Sequence, residues 1–358
     1  MTIVPGSIPR IILTGFCKQG CIFTRLMKLN RNIKIFINYF LGPILFAWLS
    51  WSIYHQIKRQ PDLGNAWAGI KASFSSPVLW NLIITVLLML VNWSVEAIKW
   101  KISVKEIQQV SFWKACQAVL SGLSFSVSTP NRMGEYLGRV LYMNEGNRLK
   151  TISITIAGSI SQLIVTLLMG CIGLVILKQD IEAKQLISPL WTQVIIYGVA
   201  LTLAVLTLFY FRLSWLVKWL ERLPGSKRFM YLVQALEGLD ATLLLKLLSL
   251  SLVRFLIFII QYFLVFRLFN VDMTGGQVLW TVSVAFLVMA IIPTITITEL
   301  VQRGKVVATI AGLYSMNELG MNLATASIWF INLILPAVIG SVLILRMRKI
   351  IGLKNETT

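Results

Sequence analysis

Charge is scarce in this sequence. Asp, Glu, Lys and Arg make up 13% of 358 residues, where a soluble domain carries about 25%. Only 14 residues are acidic and there is a single histidine, His55. That leaves no His-based triad and no His-rich metal motif. The four cysteines are Cys17, Cys21, Cys116 and Cys171, too few and too scattered for a disulfide framework. Cys17 and Cys21 have no second ligand pair nearby, so no metal site is expected. No glycine-rich phosphate loop and no paired metal motif occurs either. No cofactor is expected.

What fills the chain is apolar. Hydrophobic residues account for 57% and the mean hydropathy is +0.77. This composition describes an all-α polytopic membrane protein rather than a soluble one with a large core. The net charge of +19 would point to nucleic acid in a soluble protein. Here the basic residues lie in short segments between apolar runs, so the positive-inside effect explains them and no nucleic-acid partner is expected. The twelve tryptophans read mainly as interfacial anchors.

A span needs about 20 apolar residues to cross about 30 Å of hydrocarbon. Full spans are expected near 33–54, 78–98, 150–177, 190–211, 246–269 and 320–345. Residues 1–26, interrupted by Pro5, Gly6, Pro9, Gly15 and Gly20, read as a tail or as a mis-assigned start before Met27. Residues 27–358 read as one integral membrane domain. Lys and Arg number six up to residue 34, four in 99–114, five in 212–228 and four at the C-terminus, against three in 54–77, two in 178–189 and one in 266–276. Taking the rich segments as cytoplasmic places both termini inside.

Two regions do not fit a plain span. Residues 112–147 contain STPNRMGEYLGRV, and 277–316 contain IIPTITITELVQRGKVVATIAG. Each is apolar, then rich in hydroxyls, then broken by proline, then charged, then apolar again. Pro130, Glu135 and Arg139 in the first correspond to Pro293, Glu299 and Arg303 in the second. The Glu-to-Arg step is four in both, the spacing of an i,i+4 ion pair. Each region lies between two spans, so span, broken hairpin, span occurs twice, in halves of about 78–177 and 246–345. The charge count makes the two copies inverted, with hairpins entering from opposite faces. Full crossings by each hairpin arm would satisfy the same count.

Inverted repeats with interrupted helices point to a transporter-like site. Proline removes a backbone donor, and the freed groups must line protein or a wet cavity. Ser124, Ser126, Ser128 and Thr129 in one hairpin, and Thr294, Thr296 and Thr298 in the other, are placed to satisfy them. Helix restarts favour an anion, and Arg132 and Arg139 offer forks that match phosphate oxygens. A phosphate-bearing lipid headgroup is therefore the expected ligand. Arg254 lies eight residues past Lys246 in an apolar run, about 12 Å deep; snorkelling and internal pairing both stay open for it. Asn92 and Glu96 read as helix–helix hydrogen bonding and interfacial solvation.

STPNRMGEYLGRV resembles the signature of the lysylphosphatidylglycerol synthetase transmembrane-region family, the flippase-like domain. The residues that carry the resemblance are Thr129, Pro130, Arg132, Gly134, Glu135, Gly138 and Arg139, and EAIKWKISVK at 96–105 is similar to the family's basic segment after its second span. The likeness covers about 33–347. Two departures stand out. The second hairpin, PTITITELVQRG, has no glycine until Gly304, where the family has a glycine-rich stretch. The chain ends at Thr358, so the aminoacyl-transfer domain of some family members is not expected.

The resemblance implies a stand-alone module that binds or flips a lipid in a bacterial cytoplasmic membrane. An accessory to an envelope glycosyltransferase or lipid-modifying enzyme is the other reading it leaves. The path would be lined by Thr129, Pro130, Arg132, Gly134, Glu135, Arg139, Pro293, Glu299 and Arg303. An intramembrane enzyme acting on lipid phosphate is a third reading, for which the sequence supplies no nucleophile.

Overall fold

The computed structural model describes residues 79–127, 134–212, 239–292 and 296–356, with the side chains of 296–298 and 346–356 left aside. Among the described residues there is no strand. The helices are α1 (Leu79–Ser103), α2 (Phe112–Val127), α3 (Gly134–Val140), α4 (Arg148–Ala183), α5 (Pro189–Phe211), α6 (Ala241–Leu268), α7 (Gly275–Ile291), α8 (Thr296–Ala311), α9 (Glu318–Trp329) and α10 (Leu335–Glu356). A five-residue π-turn, Phe330–Ile334, joins α9 to α10.

Five segments are long and apolar enough to span a bilayer: Leu79–Ser103, Glu145–Ala183, Pro189–Phe211, Ala241–Leu268 and Glu318–Leu345. They coincide with five of the six spans expected from hydropathy; the sixth, 33–54, lies outside the described residues, as does the 1–26 tail. The chain is an all-α polytopic membrane protein.

The broken regions behave differently. α2, α3, α7 and α8 have 16, 7, 17 and 16 residues. At 1.5 Å per residue they reach about 24, 10, 25 and 24 Å, each short of the ~30 Å hydrocarbon thickness. All four are shorter than the five spanning segments. The second hairpin has a defined start: the Thr274 hydroxyl accepts from the Gln277 amide while the Gln277 side chain accepts from the Thr274 amide, 2.8 Å away. That capping box occupies two of the donors a helix start leaves free.

The packing pattern repeats. α2 lies against α3 and against α10, while α7 lies against α8 and against α4. α3 rests on α4, and α8 rests on α9. α1 and α6, the first helix of each set, pack on each other. Each hairpin is thus held by the closing helix of the other set.

Glycine allows these approaches. A β-carbon at Gly138 would lie 2.3 Å from the Gly122 Cα, so α3 meets α2 backbone to backbone. One at Gly340 would lie 2.0 Å from the Leu120 carbonyl oxygen, where α10 meets α2. The Ser124 hydroxyl donates to the Ala337 carbonyl across the same contact. Ser124 thus serves as a bond between helices.

The main apolar core lies among α4, α6, α7 and α8. Phe286 packs edge-on against Phe255, Phe258 and Tyr262, with ring centroids 5.8, 5.9 and 5.8 Å apart. α5 contributes little to it, with only Thr192, Val199 and Tyr210 buried. Its remaining apolar surface suits contact with lipid chains.

Outside the spans, the end of α4 is tied to the connection after α8. Lys184 Nζ donates to the Gly312 and Leu313 carbonyls at 2.7 and 2.9 Å. A cation at these last carbonyls also suits the helix dipole. The Tyr314 hydroxyl donates to the Asp180 carboxylate. Burial and that carboxylate push the tyrosine up to about 12, so it stays a donor at any physiological pH.

Candidate functional site: a charged cavity between the hairpins

α1 presents Asn92, Glu96 and Lys99 along one side, at the i, i+4, i+7 spacing of a helix face. Glu96 is the hub. Its Oε1 accepts from Arg139 of α3 at 2.8 Å, and its Oε2 pairs with Lys99 at 3.0 Å and with Arg254 of α6. Arg254 Nε also donates to Asn92 Oδ1 at 2.9 Å. Lys99 Nζ donates onward to the Gly158 carbonyl of α4 at 3.2 Å and to Ser251 of α6 at 3.3 Å. Three helices, α1, α3 and α6, therefore converge on one carboxylate, and α4 joins them through Lys99.

Glu96, Lys99 and Arg139 are 4%, 2% and 3% exposed. An isolated charge at such depth is costly. Mutual pairing offsets that cost only when the geometry is good and spare hydrogen bonds are filled. Arg139 has a second partner, Glu135, on its own helix α3. The cluster then holds three cations (Lys99, Arg139, Arg254) and two carboxylates (Glu96, Glu135). Among the described residues, three minus two leaves one positive charge without a carboxylate to match it.

Facing this cluster, in the second hairpin, Arg303 NH2 donates to Glu299 Oε1 at 2.7 Å. Between the two lies a cavity of about 490 Å³. Its polar lining includes Glu96, Lys99, Glu135, Arg254 and Arg303, and its apolar wall includes Phe255, Phe258, Phe286 and Met289. Arg254 sits 5.4 Å from the Trp93 ring and Arg303 5.9 Å from the Phe286 ring, each in cation–π range. The lining thus combines cations that suit an anion with aromatic and aliphatic side chains that suit hydrocarbon.

Of the residues expected from sequence to line a path, Glu135 and Arg303 line the cavity. Arg139 is buried beside Glu135 and Glu299 is buried beside Arg303. Gly134 is buried at the start of α3. Arg254 does not snorkel; it pairs inward. Thr129, Pro130, Arg132 and Pro293 lie outside the described residues.

Two expectations need correction. Glu96 is no interfacial solvated group but the centre of the ion-pair network. Lys99, counted with the cytoplasmic basic residues, is buried in that network. Without it the 99–114 segment retains three basic residues, as many as 54–77. The tryptophans also divide: Trp80, Trp113 and Trp191 are exposed near helix starts as anchors should be, while Trp93 and Trp329 line the cavity. The Asn92–Glu96–Lys99 spacing puts all three on one helix face, but it does not say what that face meets.

Residues 39–331 match the family described as lysylphosphatidylglycerol synthase TM region. The chain belongs to this family. The matched stretch takes in both hairpins and every charged residue of the cluster. Lysylphosphatidylglycerol is itself a lipid, and membership therefore associates this membrane protein with lipid handling. No curated protein sequence matches the chain.

Proposed function

We propose that the chain is a lipid flippase of a bacterial cytoplasmic membrane, with both termini cytoplasmic. It takes the headgroup of an anionic phospholipid or lipid-linked precursor into the cavity and moves it between leaflets. The observation that carries this reading is the excess of cations over carboxylates, among the described residues, in a cluster that lines a cavity together with aromatic and aliphatic side chains. A phosphate oxygen would take the guanidinium of Arg254, and the chains would follow the apolar wall. The hairpins, each braced by the other half, support alternating access around a fixed site.

Arg254→Ala is the informative variant. It removes the surplus charge but leaves Glu96 with Lys99 and Arg139, so the fold has a reason to persist. In nanodiscs, wild-type protein is expected to bind anionic over zwitterionic phospholipid. Arg254→Ala is expected to lose anionic-lipid affinity by about 10–100-fold, the range for a charged hydrogen bond. Unchanged affinity would reject the cavity as the lipid site.

Access is tested separately, on a cysteine-free background with single cysteines at 130, 135, 293 and 299. The first two are expected to react with an impermeant thiol reagent from one face, and the last two only from the other. Labelling of all four from one face would end the inverted arrangement.

A further inference from the structure

Four neutral polar atoms of the cavity lining are left over from the ion pairs and hydrogen bonds of the site. Trp93 Nε1, Trp329 Nε1, Gln162 Oε1 and Asn332 Oδ1 are buried without a protein hydrogen-bond partner, and all four residues line the cavity. Trp329 and Asn332 are each 6% exposed. Buried donors and acceptors are rarely left in this state, and a cluster of them calls for an explanation.

The local fold sets two of them deliberately. Asn332 lies in the π-turn Phe330–Ile334, a distortion that recurs at functional sites. Its amide orientation is fixed from outside. Asn332 Nδ2 donates to Gln261 Oε1 at 3.1 Å and to the Ile328 carbonyl at 3.2 Å, while Gln261 Nε2 donates to the Thr85 carbonyl at 2.9 Å. With both donor directions engaged, the acceptor Oδ1 is what Asn332 has left to offer. Trp329 can only donate.

The set is therefore two neutral donors and two neutral acceptors beside a cationic cluster. A bare phosphate has acceptors only, and an ammonium has donors only. A hydroxyl group does both. We propose that these four atoms form a second subsite, which holds the uncharged, hydroxyl-bearing part of the headgroup: a polyol or sugar linked through the phosphate that Arg254 takes. This inference rests on the lipid-binding reading above and names the class of headgroup.

The test holds charge constant. Phosphatidylethanol and phosphatidylglycerol are both phosphodiester monoanions, and only the second carries free hydroxyls. Each is titrated against full-length protein in phosphatidylcholine nanodiscs by competition with a fluorescent phosphatidylglycerol. Wild type is expected to prefer phosphatidylglycerol by roughly tenfold, the effect of one to two net hydrogen bonds. In Trp329→Phe and Asn332→Leu the preference is expected to shrink toward unity while phosphatidylethanol affinity holds, which also shows that the variant is folded. Equal wild-type affinity for the two lipids would mean that water alone serves these atoms, and would overturn the subsite while leaving the lipid site intact. A preference that survives both substitutions would overturn it as well. If neither lipid binds, the lipid-binding reading itself fails and takes the subsite with it.

Discussion

Glu96→Leu is expected to cost about 3–5 kcal/mol of stability, the range for removing one partner of a buried ion pair. Three cations, Lys99, Arg139 and Arg254, converge on this carboxylate. Without it, Lys99 and Arg254 lose their only carboxylate partner among the described residues and face each other inside the bundle. Glutamine at 96 keeps the size and two hydrogen-bonding atoms but not the charge, so it should recover a part of the loss. The measurement is thermal or denaturant unfolding in detergent micelles, for wild type, Glu96→Leu and Glu96→Gln. A Glu96→Leu protein as stable as wild type would show that water reaches the cluster and solvates it. The contrast with Arg254→Ala is the point of the pair: one removes the surplus charge, the other multiplies it.

Gly138→Val is the second substitution with a large expected effect. The β-carbon alone would sit 2.3 and 2.4 Å from the Gly122 Cα and nitrogen. Backbone cannot rotate away as a side chain can, so α3 must lift off α2. Overpacking of this kind costs about 1–3 kcal/mol and occasionally more. The shift also carries Glu135 and Arg139, which sit on the same seven-residue helix, away from Glu96. Anionic-lipid binding is therefore expected to fall together with stability. Gly138→Ala tests the same contact with less bulk and is expected to show a smaller version of both effects. Full binding by Gly138→Val would mean that α3 does not need this approach to place its arginine.

The two glycines explain why one part of the site was legible in the sequence. Gly138 and Arg139 stand next to each other in STPNRMGEYLGRV because one allows the close approach and the other uses it. The i,i+4 spacing of Glu135 with Arg139, and of Glu299 with Arg303, likewise states a local geometry that sequence can carry. The spans were readable for the same reason, since each is a continuous apolar run whose length is fixed by the bilayer. Glu96 and Lys99 were not legible. They lie near the end of a span, where interfacial solvation and burial call for the same residue types. What decides between the two is a partner 43 residues later, Arg139, and another 158 residues later, Arg254. No periodicity within α1 encodes that. The same holds for Asn332, whose role depends on a π-turn that the run of apolar residues around it conceals.

The wiring of Glu96 also bears on how the chain is assembled. α1 carries Glu96 and Lys99 three residues apart, already paired on one helix, so it enters the bilayer as a nearly neutral rod. α6 carries Arg254 in mid-span with no carboxylate of its own, and an unpaired arginine there costs about 2.5–3.5 kcal/mol to insert. Synthesis runs from α1 to α6, so the carboxylate is waiting in the membrane before the arginine that needs it emerges. The order of the helices along the gene thus matches the order in which their charges become affordable to bury, and exchanging the two halves would reverse it.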